Sequence, residues 1–263
     1  MGVRFPHGGP LKVIMFWFKK KKIVVDCFVD NQFFVDNVPI TPSIKVTPDW
    51  WKSIPSKMNI EEESGVAIEV ATIKRCIGFV DLFKKSFTLP LWSDLRIDNM
   101  QEGLRWHFVD GDSRITSHNP GQWGHNFPDL RHIKIMCPWI VKEKTGCNFL
   151  YMQSTWSMLE TESRGLIMPP GVVDFKHQHV LHVNTFLPAE TKSYLFKVGT
   201  PLVYLIPLTE NEVEFRSHCI NVNEYETMRK SIRFPTFTNG YTFAKKNSDK
   251  KESEKGKCPF HFN

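Results

Sequence analysis

Short apolar runs, separated by proline, glycine and asparagine, follow one another along most of the chain. Apolar runs of strand length that turn-forming residues interrupt at regular intervals are typical of sandwiches and barrels rather than of helical bundles. We therefore predict a mainly β protein, with strands in the regions Leu89–Ile97, Leu104–Val109, His132–Val141, Cys147–Gln153, Val180–Leu187, Tyr194–Val198 and Leu202–Leu208.

Near the N-terminus, the apolar run 23–29 is followed by Asp30 and Asn31 and then by a second apolar run, 33–35. Two such runs around a short turn predict a β hairpin. Further along, Thr47 and Pro48 are typical of a helix start, and Pro55 ends that helix after barely two turns. The two tryptophans in this short helix, Trp50 and Trp51, are expected to anchor it to the core.

Two longer segments have the spacing of amphipathic helices. Between Glu69 and Lys85, the apolar residues recur at helical intervals while the basic residues fall elsewhere. A second helix is predicted to begin at Asn221, since Glu224 follows three positions later as in a capping box, and to continue to Ile232.

Composition agrees with a β fold, because the 263 residues include 21 Phe, 8 Trp, 5 Tyr and 17 Pro. The net charge of +6 is concentrated at one end: the segment 245–257 has six Lys against three acidic residues. The body is only weakly basic, so specific nucleic-acid binding is not supported. We predict an N-terminal hairpin extension over 1–44, a single domain over 45–244 and a disordered, charged tail with an aromatic tip over 245–263.

Two features bear on location. The six cysteines include no Cys-x-x-Cys pair, which is expected of reduced thiols in a cytosol. The apolar run 13–18 is too short to cross a bilayer, which needs about 20 residues, and we expect no membrane partner.

Two motifs in the second half of the chain indicate a particular β fold. Gly171-Val172-Val173-Asp174 follows a Pro-Pro turn, and Gly199-Thr200-Pro201 leads into the apolar run 202–208. With Ser157 upstream, this order resembles the core of the trimeric dUTPase and dCTP deaminase superfamily, the β-clip fold. The resemblance implies a distorted barrel with one or two short helices, a homotrimer, and a nucleotide bound as its Mg complex.

The resemblance also implies roles for individual residues. Asp174 matches the carboxylate that orients the attacking water, and Ser157 matches the serine that meets the phosphates. Asp94 matches the aspartate near the metal-bound phosphates, and Gly199 opens the last motif. His177 stands near the position of the family's sugar-stacking aromatic, and Trp156 replaces an arginine that binds phosphate. We therefore expect a nucleotide-binding protein whose hydrolytic site has diverged or been lost.

A wider resemblance covers roughly 45–216. The stretches 48–55, 72–76, 89–91, 138–141 and 199–201 together resemble an uncharacterised protein family of tailed marine phages. This implies a viral protein in the host cytoplasm or in the virion, and a non-enzymatic virion or assembly protein is the alternative function.

Two further features suggest binding chemistry. On a strand, His177 and His179 share a face and, with Asp174, predict a Fe or Zn site of a metal-dependent oxygenase as a second alternative. The loop 117–130 is long and rich in turn formers, and its Trp123 is a candidate to stack on a base or sugar, or else to plug the core.

Overall fold

The computed structural model describes residues 22–232, apart from 62, 64, 111–113, 125 and 160–164, together with residue 246. Five α-helices are present in these residues: α1 Gln32–Asn37, α2 Asp49–Ser53, α3 Ile77–Lys85, α4 Thr155–Met158 and α5 Val222–Ile232. Short 3-10 turns cover Ser43–Val46, Ile73–Arg75 and Pro120–Trp123. The predicted tail and its aromatic tip lie outside the described residues, except for residue 246.

The remaining elements are strands, and the prediction of a mainly β protein is confirmed. They are β1 Ile23–Val29, β2 Thr41–Pro42, β3 Lys57–Glu61, β4 Ala67–Ala71, β5 Phe87–Pro90, β6 Leu95–Met100, β7 Gly103–Phe108, β8 Ile115–Ser117, β9 Leu130–Met136, β10 Ile140–Glu143, β11 Asn148–Gln153, β12 Gly171–Asp174, β13 His182–Pro188, β14 Lys192–Phe196, β15 Pro201–Pro207 and β16 Val213–Cys219.

The strands form five open sheets. Their orders are β10-β1-β16, β12-β11-β15-β5-β2, β13-β9-β8, β14-β6-β7 and β3-β4. Within the part of the chain that the structure describes, none of them closes into a barrel, so the closed form of the predicted barrel is not observed. The inner faces of the first four sheets share one apolar core that includes Trp92, Trp139, Phe149, Phe175 and Tyr194.

The predicted N-terminal hairpin is wrong. The run 33–35 lies in helix α1, because the Asn31 side chain accepts a hydrogen bond from the Phe33 N–H at 2.9 Å and caps the helix. Strand β1 pairs instead with β10 in antiparallel and with β16 in parallel orientation. Its alternate residues are fully buried, so this N-terminal strand is part of the common core.

The predicted helix over 69–85 is shorter than expected. Its first part is strand β4, and α3 begins only at Ile77 after the 3-10 turn. Thr72 accepts a hydrogen bond from the Lys74 N–H and its own N–H donates to Ser56, which interrupts the helix at this point. The helix from Asn221 is confirmed as α5, with the Glu224 N–H donating to the Asn221 side chain at 2.9 Å.

A second, smaller aromatic cluster holds the short helix α2 in place. Trp50 and Trp51 pack against Phe79 and Phe83 of α3, with ring centroids 5.7 to 6.3 Å apart. The indole N–H of Trp50 also donates to the Trp156 carbonyl at 2.9 Å. The expected anchoring by the two tryptophans is therefore confirmed. The cap of α2 is Pro48 rather than Thr47.

Strands β3 and β4 form a separate two-stranded sheet that we call the β3–β4 ribbon. Met58 pairs with Val70 and Ile60 pairs with Ile68, so one face of the ribbon is entirely apolar. Met58 and Ile60 are 48% and 41% exposed, because the described residues leave this face largely uncovered. None of the described helices is long and apolar enough to span a bilayer.

Candidate functional site

The outer face of the β13-β9-β8 sheet carries polar side chains that are half-buried or buried rather than fully exposed to solvent. In β9, His132, Lys134 and Met136 alternate with the buried core residues Ile133 and Ile135. The pairing register places Asn184 of β13 beside Lys134, and Phe186 beside His132. Adjacent positions on one sheet face bring side chains into contact, and the half-buried groups of β9 and β13 therefore converge there.

The loop between β8 and β9 folds over this face and forms a cleft of about 110 Å³ that opens to solvent. We call it the aromatic cleft, and its lining residues are His118, Trp123, Phe127, Pro128, Leu130, His132 and Phe186. His132 and Phe186 stack with ring centroids 4.8 Å apart, and Trp123 meets Phe186 edge-on at 5.2 Å. Since Trp123 and Phe127 are 36% and 52% exposed, their rings offer flat apolar surface to a ligand.

A chain of hydrogen bonds fixes the protonation state of His132. The indole N–H of Trp123 points at His132 Nδ1, 2.9 Å away. An indole N–H only donates, so Nδ1 accepts and the proton of the neutral imidazole is on Nε2. Nε2 then donates to the Asn184 side-chain oxygen at 3.1 Å, and Asn184 also hydrogen-bonds the Tyr151 hydroxyl. Burial, with His118 nearby, lowers the pKa of His132, which agrees with the neutral form.

Tyr151 reaches this chain because Gly171 has no side chain. Gly171 pairs with Tyr151 across β12 and β11. A Cβ at position 171 would lie 2.6 Å from the Tyr151 oxygen and 2.7 Å from two of its ring carbons. The glycine of the Gly-Val-Val-Asp motif therefore makes room for the Tyr151 ring.

Lys134 is the cation of the site. Burial lowers its pKa, since the charged form loses part of its hydration. Among the described residues, no carboxylate lies within ion-pair distance of its ammonium group. A half-buried cation without a carboxylate partner favours binding of an anion. Beside the aromatic cleft, this arrangement suits a ligand that joins a flat ring to an anionic group.

Acid is expected to destabilise the protein through His182, which lies on the same sheet face. Burial, then Lys134 and His118, lower the pKa of His182 from 6.5 to about 4. The unfolded chain takes up this proton first, so stability is complete above about pH 6.5 and falls by about 1–2 kcal/mol towards pH 4.

Urea denaturation at pH 7 and pH 4.5 measures this loss. His182→Gln should reduce the loss, whereas His107→Gln, at an exposed position of β7, should leave it as in the wild type. Equal losses in the two variants would contradict the assignment to His182.

The structure places Asp174 in a tight turn at the end of β12. Its Oδ1 accepts from the Lys176 N–H at 2.9 Å and its Oδ2 is 2.7 Å from His177 Nδ1. Both side chains are buried, at 6% and 9% exposure. Asp174 and His177, both predicted site residues, are thus in direct contact, and the carboxylate organises the turn.

Within one subunit, the Ser157 and Asp174 side chains lie far apart in space. Asp174 pairs with Asn148 at the start of β11, whereas Ser157 follows the other end of that strand in α4. The length of β11 separates them by about 17 Å. The Ser157 hydroxyl is buried and 3.0 Å from the Tyr204 hydroxyl. The structure therefore does not bring the two predicted catalytic residues together in one chain.

Asp94 and Gly199 do come together, at the turn between β14 and β15. The Asp94 carboxylate accepts from the Val198 N–H at 2.7 Å and from the Lys197 ammonium at 2.9 Å, and these bonds lower its pKa. Gly199 has a φ of +81°, which glycine adopts without strain, and its N–H donates to the Leu91 carbonyl. The bonds of Asp94 hold this turn in place.

The expected metal site is not formed. His177 lies in a turn rather than on a strand, so the alternation that placed it beside His179 does not apply. His179 Nδ1 is 3.1 Å from the Val141 carbonyl, while His177 Nδ1 contacts Asp174. Within the described ranges, no three His, Cys, Asp or Glu side chains are grouped to hold a metal ion.

Of the residues that line the aromatic cleft, Trp123 was the predicted candidate, and His118, Phe127, Pro128 and Leu130 belong to the same predicted loop, 117–130. The signal for His132 and Phe186 was the alternation in β9 and β13, where outward positions alternate with core residues. That alternation identifies one sheet face, but the register that sets Lys134 beside Asn184 depends on pairing across 50 residues of chain. No known family model matches the chain, and no curated protein is significantly similar to it.

Proposed function

We propose that the protein binds a nucleotide in the aromatic cleft and that its hydrolytic site has diverged. The observation that carries the proposal is the half-buried Lys134 beside a cleft with exposed Trp123 and Phe127 rings. Any nucleobase can stack on an exposed aromatic ring, because every base has a flat π-face. A phosphate group can pair with the Lys134 ammonium group.

Hydrogen-bonding groups between these two features suit the sugar or the base. Asn184 lies beside Lys134 and contacts His132 on the same sheet face, and the Tyr151 hydroxyl reaches Asn184 from β11 of another sheet. Burial raises the pKa of Tyr151, so its hydroxyl stays protonated and donates. Neutral His132 is held by Trp123 and orients Asn184. The ligand is expected as its magnesium complex, since several phosphates exceed the charge of one lysine.

Loss of hydrolysis is supported by the residues that the β-clip resemblance assigns to it. Ser157 and Asp174 lie at opposite ends of β11, and their polar atoms bond to other protein groups. The β-clip likeness, the trimeric association and the phage origin rest on sequence resemblance and remain predictions. In a trimer, residues from different subunits would meet to form a hydrolytic site. The geometry of a single chain therefore supports nucleotide binding alone.

Isothermal titration with deoxynucleoside triphosphates and magnesium tests the proposal. We expect binding, no release of pyrophosphate, and affinity lowered about tenfold by Lys134→Met and by Trp123→Ala, since stacking on one base contributes about 1–3 kcal/mol. The matched control is Lys84→Met, which removes an exposed lysine of α3.

Inorganic triphosphate and deoxyuridine, titrated separately, distinguish the anion site from the stacking site. Absence of heat and of thermal shift with every nucleotide would overturn the proposal.

A structural role in a virus particle is the second candidate, and the exposed apolar face of the β3–β4 ribbon favours it. Recovery at fixed stoichiometry from purified particles of the encoding phage would support this role. Its absence from particles would exclude it.

A further inference from the structure

We propose that the β3–β4 ribbon is a dimerisation arm, which packs antiparallel against the same ribbon of a second copy. The ribbon is amphipathic: Met58, Ile60, Ile68 and Val70 share one face by their pairing. An isolated two-stranded sheet is marginal in water unless an apolar face is covered. This inference is independent of nucleotide binding, because the aromatic cleft lies on another sheet.

The base of the ribbon is firmly attached to the body. The Thr72 N–H donates to the Ser56 carbonyl at 3.1 Å, and the Lys74 ammonium donates to the Lys52 and Ile54 carbonyls. Lys74 also lies over the Trp51 ring, 5.5 Å from its centroid. The ribbon therefore extends from a fixed base and presents its apolar face in a defined direction.

Charge selects the partner. The stretch 57–71 has four Glu and one Lys, a net charge of −3. The acidic groups concentrate at the tip, where Glu61 and Glu63 are exposed. Lys52, Lys74 and Arg75 lie at the base, where Lys52 also pairs with Asp49 at 2.8 Å. A ribbon with an acidic tip and basic residues at its base is complementary to a second copy of itself in the opposite orientation.

The separation of acidic tip and basic base also favours one orientation of the two ribbons. Tip and base are about 17 Å apart, the length of a five-residue strand. Two ribbons packed face to face in antiparallel orientation bring each acidic tip to the basic base of the partner, about a two-fold axis. Exposed Val66 then meets exposed Ile73 and Ile77. In a tip-to-tip arrangement, four or more glutamate carboxylates would face one another, and their repulsion disfavours it.

Sedimentation velocity from 1 to 100 µM tests the arm. We expect a concentration-dependent dimer, with Ile60→Ser raising its dissociation constant at least tenfold. Asn59→Ser, on the polar face of the same strand, is the matched control and should leave the dimer unchanged. Since Ile60 is exposed, both variants should keep the wild-type melting temperature at low concentration.

A charge exchange tests the antiparallel orientation. Glu61→Lys with Glu63→Lys in one variant, and Lys52→Glu with Arg75→Glu in another, should each be monomeric alone and form a heterodimer when mixed. The inference is overturned by a wild-type monomer at 100 µM, by self-association that Ile60→Ser does not weaken, by equal effects of Ile60→Ser and Asn59→Ser, or by a mixture that stays monomeric.

Discussion

Replacing Asp174 with alanine is expected to lower the free energy of unfolding by about 3 kcal/mol. The carboxylate is buried and accepts from the Lys176 N–H, and it contacts His177 Nδ1. Alanine removes the carboxylate that accepts from the Lys176 N–H and from His177 Nδ1, and both groups then stay inside the protein without this acceptor. Because small domains are stable by only about 5–15 kcal/mol, the shift of the urea midpoint should be large.

Asp174→Asn separates a structural from a catalytic role. Asparagine keeps an oxygen for the Lys176 N–H, and its amide can donate to His177 Nδ1 in the other tautomer, so the cost should be below about 1 kcal/mol. Asp49→Ala, at a side chain that is 90% exposed, should change stability by less than about 0.5 kcal/mol. A loss for Asp174→Ala as small as that for Asp49→Ala would contradict the assigned role in the turn.

Gly171→Ala is expected to cost about 2 kcal/mol through overpacking. The new Cβ would lie 2.6 Å from the Tyr151 oxygen and 2.7 Å from two ring carbons, so the Tyr151 side chain must move away from β12 and from Asn184. Gly78→Ala, which meets nothing within 4 Å in helix α3, should instead raise stability by about 0.5 kcal/mol.

A double-mutant cycle with Tyr151→Ala identifies the cause. When the ring is absent, Gly171→Ala should lose most of its cost. The same cost in both backgrounds would show that the clash with Tyr151 is not responsible. Urea denaturation with an unchanged slope is the measurement in each case.

The strands could be predicted because their signals are local. The run 147–153 and the motif 171–174 are apolar, strand-length and bounded by turn residues, and both are strands in the structure. The N-terminal hairpin failed for a local reason too, since Asn31 is equally suited to a turn and to a helix cap, and its side chain caps α1.

The candidate site was harder to predict because it depends on register. Alternation in β9 marks Lys134 as an outward position, yet its neighbour Asn184 comes from a strand far along the chain. The motif residues Ser157 and Asp174 lie apart for the same reason, since β11 separates them and only the pairing of β12 with β11 shows this. Residue identity indicated candidate chemistry, and the pairing of distant strands determined which groups meet.

The position of β1 also affects how the protein is made. This strand leaves the ribosome well before its parallel neighbour β16, which places Val213 beside Ile23, 190 residues later in the chain. Until β16 has emerged, one edge of β1 has unpaired backbone groups next to side chains that are fully buried in the finished protein. The nascent chain therefore exposes an apolar strand edge while the residues between β1 and β16 are synthesised, and we expect slow folding and a need for chaperones at this stage.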